Sequence, residues 1–534
     1  MPRTDRFYVT TPIYYVNDRP HIGHCYTTLL ADVAARMNRL RGRDTFFLTG
    51  TDEHAEKVVA AAAEHGLSPV AWADRNAEAF RRAFAAFAIS NDDFIRTSES
   101  RHTERLAGYI RRLQESGDIT LGDYEGWWDA SQEEYVTETA AREHEFKSPV
   151  TGKPLVKRTE KNYFFRLSAY ADRLLKHIES NPGFIRPEAR RNEVVGRIRT
   201  GLQDVPVSRA VQPGDADWGV LMPGDADHRV YVWIDALCNY LSAVDTAERR
   251  AFWPADVHLV GKDILWFHAV VWPCLLMALD EPLPGCVYAH SYWIREGRKM
   301  SKSLGNFLDM PTLRGYMGAF GVDAVRWFLA TQGPAGATDA DFAHARFVEV
   351  YNADLANSVG NALNRVTNMI GRYCDGAVPD PAGVTRHAGH DWPAVAAETV
   401  ERATARADAM DLPGALAEGV ALVRRVDGYI HATEPFKLAK DESKRDEVAA
   451  ILYHAAEALR LAGLMLWPAL PGKIEDLWRR LGWSVSIGDA RLVDLARWGG
   501  LTPGARVDAG TPLFPRADPD ADPPAPIADE ARPG

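Results

Sequence analysis

The chain has 534 residues and a mass of 59.2 kDa, enough for about three domains of ordinary size. Hydrophobic residues make up 46% and charged residues 25%, a composition that excludes a fibrous or wholly disordered chain. The 73 acidic residues exceed the 62 basic ones and give a net charge of -11. This acidic excess argues against a protein that coats nucleic acid non-specifically, although it permits a local basic face.

The cysteines and the N-terminus indicate the cellular compartment of the protein. Five cysteines, at positions 25, 238, 274, 286 and 374, are too few and too widely spaced for a disulfide framework, which favours a reducing compartment. The N-terminus has no apolar signal core. The longest uncharged apolar run, 269–279, is shorter than the roughly 20 residues that span a membrane. We therefore expect a cytoplasmic protein without a membrane partner.

The predicted elements begin with an alternation of strands and helices. The residue pattern predicts strands at 7–11 and 44–48 with a helix at 21–39 between them, then strands at 230–234, 257–260 and 286–289 with a helix near 264–279. Strand, turn, helix and strand in that order are typical of a parallel α/β sheet. We expect the two groups of elements to form one sheet.

The remaining segments have different patterns. Residues 116–225 are rich in Thr, Glu, Gly and aromatics and break the strand–helix alternation, as an inserted subdomain would. Helical periodicity follows at 346–374, 392–409, 415–433 and 445–466, and an acidic, proline-rich tail predicted to be disordered ends the chain. The predicted divisions are 1–115 and 226–345 for a split catalytic domain, 116–225 for the insert, 346–500 for a helical domain and 501–534 for a C-terminal extension.

The first motif opens the first predicted helix, where residues 20–24 read Pro-His-Ile-Gly-His. The free N–H groups and positive dipole of a helix N-terminus favour a phosphate, and His21 and His24 add hydrogen-bond donors. Gly23 has no Cβ and leaves room for a nucleotide beside the backbone. Taken alone, two histidines at a helix start are more often solvated or hydrogen-bonded caps.

The second motif is Gly-Arg-Lys-Met-Ser-Lys-Ser-Leu-Gly-Asn at 297–306, which places Lys299, Met300 and Lys302 in a loop between two glycines. Ammonium groups on a movable loop can follow charge as it develops on a transferring phosphoryl group. A run of charges by itself usually marks a solvated surface. A solvated surface does not explain why both motifs occur in one chain, each at the end of a strand–helix unit.

Both motifs, as they stand at 21–24 and 299–303, resemble those of the class I aminoacyl-tRNA synthetases. The stretches between them are most similar to the methionyl members of that family, at 14–17, 50–54, 162–167, 233–236 and 261–264 together with His268. The resemblance runs from about residue 7 to residue 514. It implies a Rossmann-type, doubly wound parallel α/β sheet split by a connective insert and followed by an α-helical anticodon-binding domain.

The resemblance also implies the reaction. Methionine would be activated by ATP with Mg²⁺ to methionyl-adenylate, and the methionyl group would then pass to the terminal adenosine of initiator and elongator tRNA(Met). The first step mainly requires positioning and charge stabilisation. The residues implied in catalysis are His21, His24, Lys299 and Lys302, and those implied in ATP binding are the same four with Gly23, Gly261, Asp263 and Met300.

The amino-acid pocket is likewise implied by matching positions. Asp52 would bind the substrate ammonium group, and an apolar slot would take the thioether, where contacts of sulfur with aromatic rings are favourable. The residues implied in this slot are Ile13, Tyr15, Trp233, Ala236, Tyr240, Ile264 and His268. Without the two motifs, Trp233 and Tyr240 would be read as ordinary core aromatics.

In the predicted helical domain, 357–365 and 434–440 resemble the two elements that read the CAU anticodon. Asn361 and Arg365 are four residues apart and so share one helix face, from which both could reach base edges. Phe436 stands where the family usually has Trp, and its ring can still stack on a base; the less favoured alternative is a helix-packing aromatic.

Two departures from family members lead to further expectations. Many members carry zinc knuckles in the insert, but no cysteine lies between Cys25 and Cys238, so we expect no structural zinc and no metal bound by the protein itself. The chain ends in the acidic tail rather than in an appended β-barrel, which predicts a monomer. Two other functions stay open: a nucleotidyltransferase with a similar His-x-Gly-His turn, and a catalytically silent tRNA-binding relative.

Overall fold

The computed structural model describes residues 5–130, 134–136, 138–212, 214–300, 306–485, 487 and 491–528. In chain order, the elements up to residue 143 are β1 (Arg6–Tyr15), α1 (Ile22–Leu40), β2 (Asp44–Asp52), α2 (Glu56–Glu64), α3 (Pro69–Ala86), β3 (Asp93–Arg96), α4 (Ser100–Glu115), β4 (Ile119–Asp129), β5 (Glu134–Val136) and α5 (Glu138–Glu143). Those up to residue 242 are β6 (Val156–Phe165), α6 (Ala171–Ser180), β7 (Ile185–Arg186), α7 (Glu188–Arg199), β8 (Val205–Pro206), β9 (Ser208–Ala210), β10 (Leu221–Met222), β11 (Asp225–Val230) and α8 (Val232–Ser242).

The second half continues in the same way. The elements up to residue 341 are β12 (Val257–Gly261), α9 (Trp272–Ala278), β13 (Cys286–His290), β14 (Trp293–Arg295), β15 (Arg298–Lys299), α10 (Met310–Phe320), α11 (Val322–Gln332) and β16 (Ala340–Asp341). The last elements are α12 (His344–Val350), α13 (Asn361–Tyr373), β17 (Arg386–His387), β18 (His390–Asp391), α14 (Trp392–Asp408), α15 (Leu412–Thr433), α16 (Pro435–Leu438), α17 (Arg445–Leu466), α18 (Pro471–Arg480) and α19 (Leu492–Leu495). Segments of π-helix, Phe267–Val271 and Tyr351–Gly360, lead directly into α9 and α13.

The centre of the molecule is a six-stranded sheet in the order β3-β2-β1-β12-β13-β7, and every pairing in it is parallel. Strands from the two distant halves of the chain meet where β1 pairs with β12, with Val9 opposite Val257. The strand order reverses at this junction, and in open α/β sheets ligands bind outside the carboxyl ends of the strands at such a point. The predicted fold class, a doubly wound α/β sheet followed by a helical region, is confirmed.

The prediction of a strand at 230–234 is wrong. Strand β11 ends at Val230, and the helix α8 begins at Val232 and is almost completely buried. A short apolar run that is buried on every side has the same sequence pattern in a strand and in a helix, so its periodicity could not distinguish the two.

Residues 116–225, together with β11 up to Val230, form two small antiparallel sheets, β5-β4-β6-β8 and β10-β11-β9. The segment also returns once to the central sheet, because β7 pairs with β13 at the sheet edge. Trp128 is buried beneath the Arg209 guanidinium, and Trp127 packs against Phe146 at a ring distance of 4.5 Å. Aromatic packing therefore stabilises this region in the way that its composition suggested.

The helical region is built around α17, whose bounds agree with the predicted helix at 445–466. Among the described residues, the helix at Glu442–Leu466 is long and apolar enough to cross a membrane, but 94% of that stretch is buried inside the protein. Helices α13 and α15 pack against it. The apolar character of α17 is thus explained by its place in the core of the helical region.

The tail predicted to be disordered begins at residue 517, and the expectation is wrong for its described part, 517–528. The Tyr351 hydroxyl donates to the carbonyl of Pro515 (2.8 Å), and the amide of Asn352 exchanges two hydrogen bonds with the backbone of Ala517 (both 2.9 Å). A Cβ atom on Gly315 of α10 would lie 2.4 Å from the Ala525 carbonyl oxygen. Composition could not predict this, because order depends on a complementary groove in a distant part of the chain.

A buried ion pair joins the catalytic sheet to the helical region. Arg326 of α11 and Asp32 of α1 have fully buried side chains, with Nη2 and Oδ2 2.7 Å apart. The same guanidinium donates to the carbonyls of Phe87 (2.7 Å), Pro468 (2.8 Å) and Ala469 (3.0 Å). Burial opposes ionisation of Asp32, but the charges of Arg326 and Arg36 hold its pKa below the usual value.

Replacing Arg326 with Met would leave the Asp32 carboxylate buried without its main counter-charge. We expect the free energy of unfolding to fall by about 3–5 kcal/mol, the usual effect of removing one partner from a buried pair. Urea unfolding followed by circular dichroism measures this change. Arg346→Met is the matched control, because its partner Glu349 is 66% exposed and such surface pairs contribute about 0–1 kcal/mol. Equal losses in the two variants would contradict the expectation.

Candidate active site

The first motif forms the N-terminus of α1, and both of its histidines take part in the helix cap. The Nδ1 atom of His21 accepts from the backbone N–H of Gly23 (3.0 Å), and the Nδ1 atom of His24 accepts from the N–H of His21 (3.2 Å). A neutral imidazole carries one proton, so each ring has its proton on Nε2. Both rings therefore offer an Nε2–H donor beside the positive end of α1.

These histidines remain neutral near pH 7. Burial lowers the pKa of His21 to about 4. Burial, and then the proximity of His21, lowers the pKa of His24 well below its usual value. A Cβ atom on Gly23 would lie 2.9 Å from Cε1 of His21, so a larger residue there would displace the His21 ring. The motif therefore presents neutral hydrogen-bond donors at the helix N-terminus, and Gly23 preserves their position.

The segment that follows the second motif lies directly against the first. The backbone N–H of Ile22 donates to the carbonyl of Leu308 (3.1 Å), and the rings of His21 and Phe307 are 4.9 Å apart. Lys299 belongs to β15, which pairs with β14, and Met300 is partly buried against the core. Lys302 and the side chain of Lys299 lie outside the described residues.

Gly261 and Asp263 lie at the carboxyl end of β12, next to the junction with β1. A Cβ atom on Gly261 would come 2.6 Å from Oδ1 of Asp263, so the exposed carboxylate folds back over the glycine. Both residues are thus at the switch point of the sheet. This position agrees with their predicted place on the nucleotide side of the cleft, a role that stays a prediction.

Across the junction, β1 and β2 bring part of the predicted methionine pocket together. Tyr15 is paired with Asp52, and Ile13 with Gly50, at the carboxyl ends of the two strands. Asp52 is only 3% exposed. A Cβ atom on Gly50 would lie 1.9 Å from the Ile95 carbonyl oxygen, so only glycine fits beside β3. The carboxylate predicted to bind an ammonium group is therefore held in a buried position at the floor of the cleft.

Helix α8 supplies the other wall. Trp233, Ala236 and Tyr240 occur at positions i, i+3 and i+7, which is one face of the helix. The Trp233 ring stacks on Phe267 at 4.0 Å and meets the Tyr15 ring edge-on at 6.1 Å. Phe267, which stands next to His268, was not singled out in the sequence, although it packs directly on the predicted pocket residue Trp233.

A hydrogen-bonded chain closes this wall. The Nδ1–H of His268 donates to the carbonyl of Ile264 (2.9 Å), so its Nε2 accepts from the Tyr240 hydroxyl (2.7 Å). Burial lowers the pKa of His268 to about 4, and it raises the pKa of Tyr240. Both groups are neutral near pH 7. They therefore form an uncharged wall, which suits an apolar thioether side chain.

A polar cluster lies beside the predicted pocket. The sequence analysis gave no signal for it, except that His54 and Asp235 stand in two of the stretches that carry the resemblance. Asp235 is buried, and its carboxylate is hydrogen-bonded by His54 and by His102, each at 2.7 Å. Burial raises the pKa of Asp235, but the two histidines overcome this effect and bring it to about 2. Asp235 is therefore ionised, and it orients His54 at the edge of the cleft.

The residues predicted to read the anticodon lie in the helical region. They belong to α13 and α16, which are not among the elements that line the cleft. Asn361 is exposed at the start of α13, and Arg365 follows one turn later. Burial raises the pKa of Asp427 on α15, whereas the charge of Arg365 lowers it, which places these two groups close together. Phe436, nine residues further along, is 39% exposed on the short helix α16. Asn361 on α13 and the Phe436 ring on α16 are thus both exposed.

Comparisons with known proteins agree with this geometry. The family model described as tRNA synthetases class I (M) matches residues 7–143 and 141–367. A methionine–tRNA ligase from Caldanaerobacter subterraneus is 43% identical over 96% of this chain and 79% of its own length, and one from Streptomyces coelicolor is 42% identical over 96% and 97%.

Solved structures give the same result. Mycobacterium tuberculosis methionyl-tRNA synthetase in complex with methionyl-adenylate superposes with a TM-score of 0.88 at 38% identity, covering 96% of this chain and 100% of that one. The free form of the same enzyme gives a TM-score of 0.82 at 35% identity, with 97% and 99% covered. The fold and cleft thus define a class I aminoacyl-tRNA synthetase. Within that class, the chain belongs to the methionine–tRNA ligase family.

Because burial lowers the pKa of histidines in the cleft, we expect the free energy of unfolding to depend on pH. The pKa of His268 is about 4 in the folded protein and near 6.5 in the unfolded chain. As the pH falls below 6.5, the unfolded chain binds a proton that the folded protein does not, so the free energy of unfolding decreases. The full loss for this group, reached near pH 4, is roughly 3 kcal/mol.

Urea unfolding at pH 7 and pH 5 measures the effect in a range where few carboxylates titrate. We expect His268→Gln to lose less stability between these two values than the wild type does, because it lacks one of the titrating groups. Identical slopes in the two proteins would contradict the assignment.

Proposed function

We propose that the cleft at the carboxyl ends of β1 and β12 carries out both steps of the methionine–tRNA ligase reaction. Methionine reacts with ATP to form methionyl-adenylate and pyrophosphate, and a ribose hydroxyl of the terminal adenosine of tRNA(Met) then takes the methionyl group and releases AMP. The observation that supports this site most directly is the helix cap made by two neutral histidines, with the second-motif segment packed against it.

The phosphate side of the site consists of donors and cations. The Nε2–H groups of His21 and His24 donate to phosphate oxygens, and Lys299 and Lys302 neutralise the charge that develops on the transferring phosphorus centre and on pyrophosphate. Gly23, Gly261, Asp263 and Met300 border the adenosine and its phosphates. No side chain needs to act as a general base in the first step, because the methionine carboxylate is itself the nucleophile.

ATP brings Mg²⁺ to such sites, where the ion offsets phosphate charge. In the part of the chain that the structure describes, no three His, Cys, Asp or Glu side chains form a metal-binding group. This arrangement fits an ion held mainly by phosphate oxygens and water, which is the common situation for Mg²⁺ bound with a nucleotide.

On the amino-acid side, the Asp52 carboxylate binds the substrate ammonium group. The methionine side chain lies among Ile13, Tyr15, Trp233, Ala236, Tyr240, Ile264 and His268. The Trp233–Phe267 stack fixes the width of this slot, and the neutral Tyr240–His268 pair closes its end. Because one methylene changes binding in an apolar slot by only about 1–3 kcal/mol, this fixed shape has to supply most of the selectivity.

Recognition of tRNA extends to the helical region. Asn361 and Arg365 contact anticodon bases, and Phe436 stacks on one of them, a contact that typically contributes about 1–3 kcal/mol. Initiator and elongator tRNA(Met) share the CAU anticodon, so both are substrates. The exposure of Asn361 and Phe436 supports this assignment.

Lys302→Ala tests the assignment of roles in the cleft. We expect methionine-dependent exchange of pyrophosphate into ATP to slow by about 10²-fold, or about 3 kcal/mol in the transition state, with little change in the dissociation constant of methionine. The reason is that Lys302 meets phosphates, whereas Trp233 and Tyr15 bound the methionine slot. Arg365→Ala should show the reciprocal pattern, with impaired tRNA charging and intact exchange. A parallel weakening of methionine binding by Lys302→Ala would refute the assigned role.

We also propose that the protein is cytoplasmic. Native mass spectrometry tests two further proposals, that the protein is a monomer and that its insert holds no zinc. We expect a single species at 59.2 kDa without added metal mass. The reason for the second expectation is the absence of cysteine from 116–225, since four ligands are needed for a structural site and His144 alone could not hold the ion. Twice this mass, or stoichiometric zinc, would contradict the corresponding proposal.

A further inference from the structure

A cavity of about 350 Å³ opens between residues 116–231 and the carboxyl end of β2. Its lining includes His54, Ala60 of α2, Trp128 of β4, Arg209 of β9 and Tyr231. The volume is within the usual range of small-molecule sites, about 300–1,000 Å³. None of these residues belongs to the methionine or ATP sites proposed above.

The cavity adjoins the methionine pocket. His54 is two residues beyond Asp52, and Tyr231 is two residues before Trp233. A separation of two residues corresponds to at most about 7 Å along the chain. A ligand with one end at the methionyl group can therefore extend its other end into the cavity. The indole N–H of Trp218 donates to the carbonyl of Glu53 (2.5 Å) and fixes the position of the cavity relative to the cleft.

One wall combines aromatic rings with a guanidinium plane. The Cζ atom of Arg209 lies 4.1 Å from the centre of the Trp128 ring and 4.4 Å from that of Tyr231. Planar groups of this kind are the surfaces on which unpaired nucleobases stack. Glu56 and Asp215 also line the cavity, where they balance the charges of Arg209 and Arg229, so the lining has no excess positive charge to select a phosphate over a base.

His54 adds a fixed hydrogen-bond acceptor. Its side chain is 8% exposed, and its Nδ1–H donates to the carboxylate of Asp235 (2.7 Å). When the ring is neutral and its proton is on Nδ1, the Nε2 atom is an acceptor, and it bonds to no described residue. A buried acceptor that lines a cavity matches a ligand that carries an N–H donor, such as an exocyclic amine.

We propose that this cavity binds the base of the 3′-terminal adenosine of tRNA during methionyl transfer. The base stacks on the Arg209–Tyr231 wall, and its N6 amine donates to Nε2 of His54. The ribose then lies at the methionyl carbonyl, beside Asp52. This inference rests on the proposed tRNA-charging function and assigns the place of one nucleotide within it.

A larger side chain introduced at an exposed residue can fill the cavity. Ala60→Trp places an indole at its mouth, and Ala63→Trp is the matched control, because Ala63 is exposed on the same helix and does not line the cavity. We expect Ala60→Trp to slow single-turnover transfer from preformed methionyl-adenylate by about 10- to 100-fold, the range expected for loss of one stacked base. Methionine-dependent pyrophosphate exchange should stay at the wild-type level, as should both activities of Ala63→Trp.

Binding of two RNAs separates the terminal base from the rest of the tRNA. Full-length tRNA(Met) should bind Ala60→Trp more weakly than wild type, whereas tRNA(Met) lacking its terminal adenosine should bind both equally. An equal weakening for the two RNAs, or transfer at the wild-type rate by Ala60→Trp, would overturn the inference. A similar fall in pyrophosphate exchange would also overturn it, because the cavity would then serve activation.

The acceptor role of His54 has its own test. We expect wild type to transfer methionine more slowly to tRNA ending in inosine, which lacks the N6 amine, than to natural tRNA, and His54→Phe to show no such difference. Equal rates with both RNAs in wild type would refute the assigned hydrogen bond. Failure of the wild-type protein to charge any tRNA(Met) would instead refute the proposed function.

Discussion

The buried ion pair between Asp32 and Arg326 ties the helix that carries the first motif to the helical region. Asp32 lies in the middle of α1, whose N-terminus carries His21 and His24. Arg326 also holds the carbonyls of Pro468 and Ala469, just before α18 of the helical region. Both charges are fully buried, and separating them would leave an unpaired charge in the interior. Breaking this contact would therefore be costly, and it links α1 directly to the segment that precedes α18.

The active site depends on the same kind of convergence. The strands β1 and β12 are separated by about half of the chain, yet their pairing brings the ends of β1, β2 and β12 to one edge of the sheet. The first motif, the Asp52 carboxylate and Gly261 each come from one of these ends. The second-motif segment then returns to the first through Phe307 and Leu308. The proposed active site thus lies where parallel strands from both halves of the chain end together.

The buried histidines of the cleft are uncharged near pH 7. His21, His24 and His268 are buried, and burial lowers the pKa of each of them. Their hydrogen-bond partners decide which ring nitrogen carries the proton, so each ring presents a defined donor or acceptor. The only anionic group assigned to substrate on the amino-acid side is Asp52, and the neutral wall around it suits a zwitterionic amino acid with an apolar side chain.

The sequence by itself determined the parts of this protein that depend on local pattern and residue type. Apolar periodicity predicted the strands at 7–11 and 257–260 and the helix at 445–466, and the motif residues at 21–24 indicated a phosphate site at a helix N-terminus. Only the tertiary structure decided that residues 232–242 form a helix, that His54 and His102 share Asp235, and that residues 515–528 lie along α10 and α12. The physical reason is that each of these features depends on contacts between residues far apart in the chain, which local periodicity does not record.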